Sequence, residues 1–366
     1  MMWKRPLRAL QVEVTSRCTR RCLVCPRSGL AERWLEGDLG ADTWRRLVPD
    51  LPLCRHLHLQ GWGEPLLHDG LRSMVRDAHA AGCRVAITTN GDLLADAAQW
   101  MVEERMELLT LSLAGVGDRN HRLRGDADSE PLLEALGELA RRRAGRRRPR
   151  IQVGFLLVRG NAGDLPAVVR AAAAAGADAV VVNHLDCTPT PELHALSLCG
   201  TGPLASQVVA AVKEAATIAR RLGVELRPPA LEPRAMLVCD LDPRIVASVG
   251  WDGRVGPCVQ LTMPVRGPWQ RSTNGGPLEV EVPRFGHLDD APLSAILEGA
   301  LRREWVEPLL QRNAADRWFR DRSLVASGWG VVAVRELEQA FQELEQRLAE
   351  RPLPAACRGC AKADGW

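Results

Sequence analysis

Three cysteines near the start of the chain, Cys18, Cys22 and Cys25, form the run Cys18-Thr-Arg-Arg-Cys22-Leu-Val-Cys25. Thiolates are soft ligands, suited to iron–sulfur clusters or to zinc. A structural zinc site normally closes its shell with four ligands. Here the local set is three, and no further Cys or His occurs within about the next twenty residues. Three thiolates on a four-iron cubane leave one iron open, much as an open position marks a catalytic zinc. A zinc loop completed by a distant ligand is the competing reading.

Composition bounds what such a site serves. A length of 366 residues suggests two domains of ordinary size. A hydrophobic fraction of 46% with 25% charged residues is that of a soluble globular protein. The net charge of +3 is too small to imply a polyanionic partner. Met1–Arg8 lacks the apolar stretch of a signal peptide, and no uncharged run is long enough to span a membrane. Eleven cysteines without a secretion signal point to the cytoplasm and to metal ligation, not to disulfides. No membrane partner is expected.

The elements that must position the cysteines follow from periodicity. Ala9–Thr15 alternates as a strand does, and the cysteine loop follows at once. Helices are expected at Ala41–Val48, Leu71–Ala81, 92–104, Glu130–Arg142, Leu165–Ala175 and Ala205–Leu222. Strands are expected at His56–Gln60, Arg84–Thr89, Leu108–Leu113, Ile151–Val158 and Ala179–Val182. Alternating strands and helices imply parallel pairing through right-handed crossovers. Six such units fit before about residue 200, with their site at the C-terminal strand ends.

The CxxxCxxC pattern resembles the radical S-adenosylmethionine (radical SAM) superfamily. The resemblance implies an open partial (β/α)6 TIM barrel of α/β class. It also implies a 4Fe–4S cluster whose open iron chelates the amino and carboxylate groups of SAM. Reductive cleavage would then give a 5′-deoxyadenosyl radical that abstracts hydrogen from a substrate. Gly61-Trp62-Gly63-Glu64-Pro65 resembles the family's Gly-Gly-Glu-Pro motif, so Gly63, Glu64 and Pro65 are expected around the methionine amino group. Trp62 departs from the pattern, where the family usually has glycine. Arg84–Thr89 running into Asn90-Gly91 resembles the family's Thr-Asn-Gly strand end, which adds Asn90. Ser112 is a candidate for the ribose, and Arg124 for the methionine carboxylate through its guanidinium fork. Leu157 and Asn161 are candidates for the adenine. His184 and Asp186, at the sixth strand end, are candidate catalytic residues, one as base and one as orienter. Simple hydrogen bonding of the rim is their other reading. Cys54 and Cys83 read as small buried hydrophobes, and Cys187 and Cys199 are not expected to ligate a cluster.

Beyond Pro229 the character changes to short strands and turns. Ile245–Val249 and Val255–Cys258 read as a hairpin turned at Trp251-Asp252-Gly253. Cys239, Gly253-x4-Cys258 and the terminal Cys357-Arg-Gly-Cys360 resemble the SPASM/twitch extension of radical SAM maturases and dehydrogenases. The resemblance implies that Cys239, Cys258, Cys357 and Cys360 close one auxiliary 4Fe–4S cluster, although four cysteines would suit zinc equally well. The domains are then 1–228 for the barrel and 229–366 for an α+β auxiliary domain, with a helical insertion at about 290–350. In that insertion Trp305, Trp318, Phe319 and Trp329 precede an amphipathic helix at Val334–Glu350, with Leu337, Phe341, Leu344 and Leu348 on one stripe. The stripe either packs into the core, covers the substrate opening or binds a partner.

The function implied is radical hydrogen abstraction in peptide or protein maturation or oxidation. The alternative is a small-molecule dehydrogenase acting on an aminocyclitol-like substrate. An electron donor such as flavodoxin or ferredoxin is the implied partner. The rival of another class is a non-catalytic zinc-binding interaction protein, with the arginine block Arg141–Arg150 on nucleic acid. Because no aromatic residues interleave with those arginines, the block reads instead as a solvated connection, and nucleic acid is not an expected partner.

Overall fold

Along Leu7–Val12 the side chains of Leu10 and Val12 are fully buried on one face while Ala9 and Gln11 on the other are only partly buried. The computed structural model describes residues 6–200, 202–233, 236–326 and 331–366, without the side chains of 320–326 and 331–337. Trp329 and the side chain of Leu337 therefore lie outside the described residues. The segment Leu7–Val12 is β1. It is followed by β2 (Cys54–Leu59), β3 (Arg84–Thr89), β4 (Leu108–Leu113), β5 (Arg150–Leu157) and β6 (Ala179–His184), each parallel to the one before.

Helices at Ala41–Leu47, Leu71–Ala80, Leu94–Glu103, Ser129–Arg143 and Leu165–Ala174 make the crossovers. On the helix side Leu10, Leu57, Ile87, Leu109, Val153 and Val180 are fully buried. The opposite, inward face of β2 to β6 carries His58, Gln60, Thr88, Thr110, Gln152 and Asn183. Period-two alternation thus gives a dry outer layer and a lumen where these polar side chains sit among Ala86, Leu108, Leu156 and Val181. After the helix Ser206–Leu222, the short β7 (Glu225–Arg227) extends the sheet beyond β6.

At the other edge, β8 (Val246–Val249) pairs parallel with β1. It then turns into β9 (Arg254–Gly256), which β12 (Gly286–His287) lines. The ten strands run β12-β9-β8-β1-β2-β3-β4-β5-β6-β7 and do not close, an open α/β barrel wall. A separate hairpin of β10 (Trp269–Thr273) and β11 (Gly276–Val280) packs near the C-terminus. The helix Ala300–Ala326 returns as Val331–Ala349. The Phe319 and Phe341 rings meet edge to face at 6.1 Å, and the Arg347 guanidinium lies 4.0 Å from the Trp318 ring centroid. Among the described residues no helix is long and apolar enough to cross a membrane.

Most boundaries match the periodicity to within two residues. Two exceptions are the last long helix, which begins at Val331 and not at Val334, and β1, which ends at Val12 and not at Thr15. Thr15 Oγ1 donates to Asp38 Oδ1 at 2.6 Å and Ser16 Oγ to the Leu35 carbonyl at 2.8 Å. These side-chain bonds draw the chain out of the sheet before the cysteine loop begins.

Candidate active site

The loop of Cys18, Cys22 and Cys25 leaves the C-terminal end of β1 and is stapled to the end of β3. The Arg20 guanidinium, almost fully buried, grips the Asp92 carboxylate, with Nε donating to Oδ2 at 3.0 Å. Thr19 Oγ1 donates to Asp92 Oδ2 at 2.5 Å. Burial alone would raise the Asp92 pKa, but the Arg20 and Thr19 hydrogen bonds carry it below the ordinary value. Asn90 Nδ2 donates to Thr19 Oγ1 at 2.9 Å and lies 3.6 Å from the Cys18 sulfur.

The three thiols feel one another's charge. Burial first, then Cys22, pushes Cys25 up to about 11, and burial raises Cys18 as well. A cationic metal centre reverses that balance and holds all three as thiolates, so the donor set fits a cluster.

Glu64 is buried, and its carboxylate is fully committed. Oε1 accepts from Thr89 Oγ1 at 2.7 Å and from Leu66 N at 3.1 Å, while Oε2 accepts from Asn90 N at 2.7 Å. Burial raises its pKa against these donors. The side chain therefore braces the Gly63-Glu64-Pro65 turn against β3, while the Glu64 amide ties the same turn to the cysteine loop by donating to the Arg17 carbonyl at 2.8 Å. Gly63 is required here: a Cβ would run into the Thr15 and Arg17 carbonyls.

Beneath the cysteine loop the lumen holds a cavity of about 300 Å³ lined by Ser112 and Arg124, with His58, Gln60 and Gln152 deeper in. Arg124 lies near Cys25 and Asp92, and its buried Nε has no hydrogen-bond partner. An unspent guanidinium beside a cavity suits a carboxylate. Burial pushes His58 down to about 4, so it is a neutral lining residue.

Four of the expected contacts fall elsewhere. Leu157 points into the outer core and is fully buried; its neighbour Leu156 lines the cavity. A shift of one residue along a strand exchanges faces. Asn161 spends its whole amide on backbone. Its Oδ1 accepts from Val158 N, and its Nδ2 donates to the Ala114 and Leu156 carbonyls, tying the ends of β4 and β5 together. His184 lies on the outer face of β6, with Nε2 2.7 Å from the Ala230 carbonyl and its ring edge-on to Trp366. Asp186 pairs with Lys362 Nζ at 3.3 Å and makes no hydrogen bond to His184, so the base-and-orienter pair does not form.

The second cysteine set lies beyond the barrel strands. Cys258 follows β9, and Cys357 and Cys360 sit on a terminal turn. Arg271 of β10 holds that turn by donating to the Ala356 and Arg358 carbonyls. Gly359 supplies the positive φ of +63° between the two cysteines. Every pair among Cys239, Cys258, Cys357 and Cys360 interacts electrostatically. Burial raises Cys258 strongly and pushes Cys357 up to about 12. Cys187 lies in the same apolar cluster as Cys258, while Cys54 and Cys83 are buried at the start of β2 and β3. Among the described residues no three His, Cys, Asp or Glu side chains are drawn close enough to hold a single metal ion. In the arginine block, five of the seven guanidiniums pair with Glu138, Asp178, Glu107 and Glu225.

Periodicity alone missed Glu13. It continues the inward row of β1 and is buried, with Oε1 accepting from Trp62 N at 2.8 Å. An acid between two valines at a strand end was the available signal.

The open parallel barrel thus presents three thiols at its first strand end, over a cavity lined by Arg124. Residues 12–161 match the family model of the Radical SAM superfamily. The chain therefore carries a Radical SAM domain over these residues. It is 28% identical over 267 residues to the tungsten-containing aldehyde ferredoxin oxidoreductase cofactor-modifying protein of Pyrococcus furiosus, covering 70% of this chain and 72% of that protein. In fold it is similar to anSMEcpe with bound AdoMet, with a TM-score of 0.60 and 16% identity over 94% of each chain. It is also similar to Streptococcus suis SuiB bound to S-adenosylmethionine, with a TM-score of 0.57 and 11% identity over 81% of this chain and 67% of that one.

Proposed function

We propose that the protein is a radical SAM enzyme with one auxiliary cluster, acting in peptide or protein maturation. Cys18, Cys22 and Cys25 would hold the cluster that binds SAM, and Cys239, Cys258, Cys357 and Cys360 a fully ligated second one. The barrel occupies about residues 1–228 and a SPASM/twitch-type extension the rest, with the helical insertion at about 290–350. When bound, the first cluster and SAM supply a 5′-deoxyadenosyl radical that removes hydrogen from the substrate. The chain's own part is to bind and orient. Arg124 offers its unspent N–H to the methionine carboxylate, the backbone of Gly63–Pro65 faces the amino group, and Ser112 reaches the ribose.

The observation that most supports this reading is the three-cysteine loop at the end of β1 inside the matched domain, with four further cysteines beyond the barrel. The maturation reading is supported by likeness to a cofactor-modifying protein and to SuiB, which has a structure bound to its precursor peptide SuiA. Anaerobic reconstitution should yield about eight irons per chain, and about four in Cys18→Ala/Cys22→Ala/Cys25→Ala or Cys357→Ala/Cys360→Ala. Incubation with SAM, reductant and candidate peptides should release 5′-deoxyadenosine. Release with an aminocyclitol and with no peptide would favour the small-molecule dehydrogenase, and zinc without iron would end the proposal.

A further inference from the structure

One side chain joins the two thiol sites. Trp62 leaves the Gly61-Trp62-Gly63 turn, and its Nε1 donates to the carbonyl of Val259, the residue after Cys258, at 3.1 Å. Its ring packs in the apolar cluster that contains Cys258, Leu261, Met263 and Trp269. The turn itself has little room to move. A Cβ at Gly61 would overlap the Glu13 side chain, and one at Gly63 would overlap the backbone leading into the cysteine loop. Glu13 Oε1 accepts from the Trp62 amide at 2.8 Å, while its buried Oε2 has no hydrogen-bond partner. A displacement at Cys258 is thus carried by the indole to the turn that the proposed function assigns to SAM.

Resting on that assignment, we propose that Trp62, braced by Glu13, is a positioning residue that couples the second cysteine site to SAM binding. Occupation of the second site fixes Val259, which fixes the indole and so the backbone facing the methionine amino group. A glycine at this place, as the related motif has, would leave the two sites unlinked.

The test is a double-mutant cycle on SAM affinity. The wild type, Trp62→Phe, Cys357→Ala/Cys360→Ala and the combined variant are reconstituted, and each is checked for about four irons at the first site. Trp62→Phe keeps a ring and removes the donor. Each change alone should weaken SAM binding about 5-fold or more, within the usual range for coupled sites, and the combination should be no weaker than the worse of the two. Effects that simply multiply would overturn the coupling. A second measurement needs neither SAM nor a Trp62 variant. Amide hydrogen exchange at 61–64 should quicken when the second site is emptied by Cys357→Ala/Cys360→Ala, and unchanged exchange would also overturn it. Failure of the wild type to bind SAM while holding its first-site iron would instead bring down the parent reading and this one with it.

Discussion

Single residues in this protein do their work through what they leave unpaired. Arg124 keeps a buried N–H free beside the cavity, and this is the feature that distinguishes it from the salt-bridged arginines of the surface. Arg124→Gln should weaken SAM binding by about 10-fold to 100-fold, the worth of a charge-assisted hydrogen bond, with first-site iron unchanged; isothermal titration checks this. Glu13 is the opposite case, a carboxyl that the fold prefers uncharged. Burial pushes its pKa up to about 8 from an ordinary 4.5, with Asp252 adding to the rise and the Trp62 and Trp251 amides and Arg254 opposing it. Between those two values the native state binds the proton that the unfolded state has lost. Stability therefore falls as pH rises from about 4.5 towards 8, with a limiting slope of ~1.4 kcal/mol per pH unit. Glu13→Gln should flatten that part of the profile and raise the melting temperature more at pH 8 than at pH 5. Chemical denaturation across this range reads the slope directly.

At the level of elements, the strand ends are held together by side chains that were first read as ligand contacts. Asn161 spans the ends of β4 and β5, so Asn161→Ala should cost about 1–3 kcal/mol of stability through three backbone groups left without partners. Thermal unfolding would show the loss, and unchanged stability would return the residue to a ligand-facing role. The same element shows what sequence reading can reach. Strand and helix positions from β2 to β6 were legible because each strand alternates and each helix carries an apolar face. The cysteine spacings were legible because chemistry fixes them. Which face Leu157 and His184 occupy was not, since a continuously apolar strand gives no alternation to read. The brace by Glu64 was hidden for another reason: its partners Thr89 and Asn90 lie one strand away in space and some twenty-five residues away in sequence. The pairing of β8 with β1 was equally invisible, because a hairpin reads alike wherever it docks.

For the whole molecule, that pairing matters most. The barrel and its extension share one sheet, since β8 hydrogen-bonds to β1 across more than two hundred residues of chain. A fragment ending at residue 228 should accordingly be recovered mainly as aggregate, and adding residues 229–256 should restore much of its solubility; size-exclusion profiles of the two fragments decide this. The reason is temporal as much as spatial. As the polypeptide emerges from the ribosome, the first strand is among the earliest parts to appear and one of the last to find its second neighbour. Its bare edge stays available to any other nascent strand for most of translation. Slow elongation or a stalled messenger would lengthen that exposure, so the yield of this protein in a host should depend on chaperone supply during synthesis more than on its stability once complete.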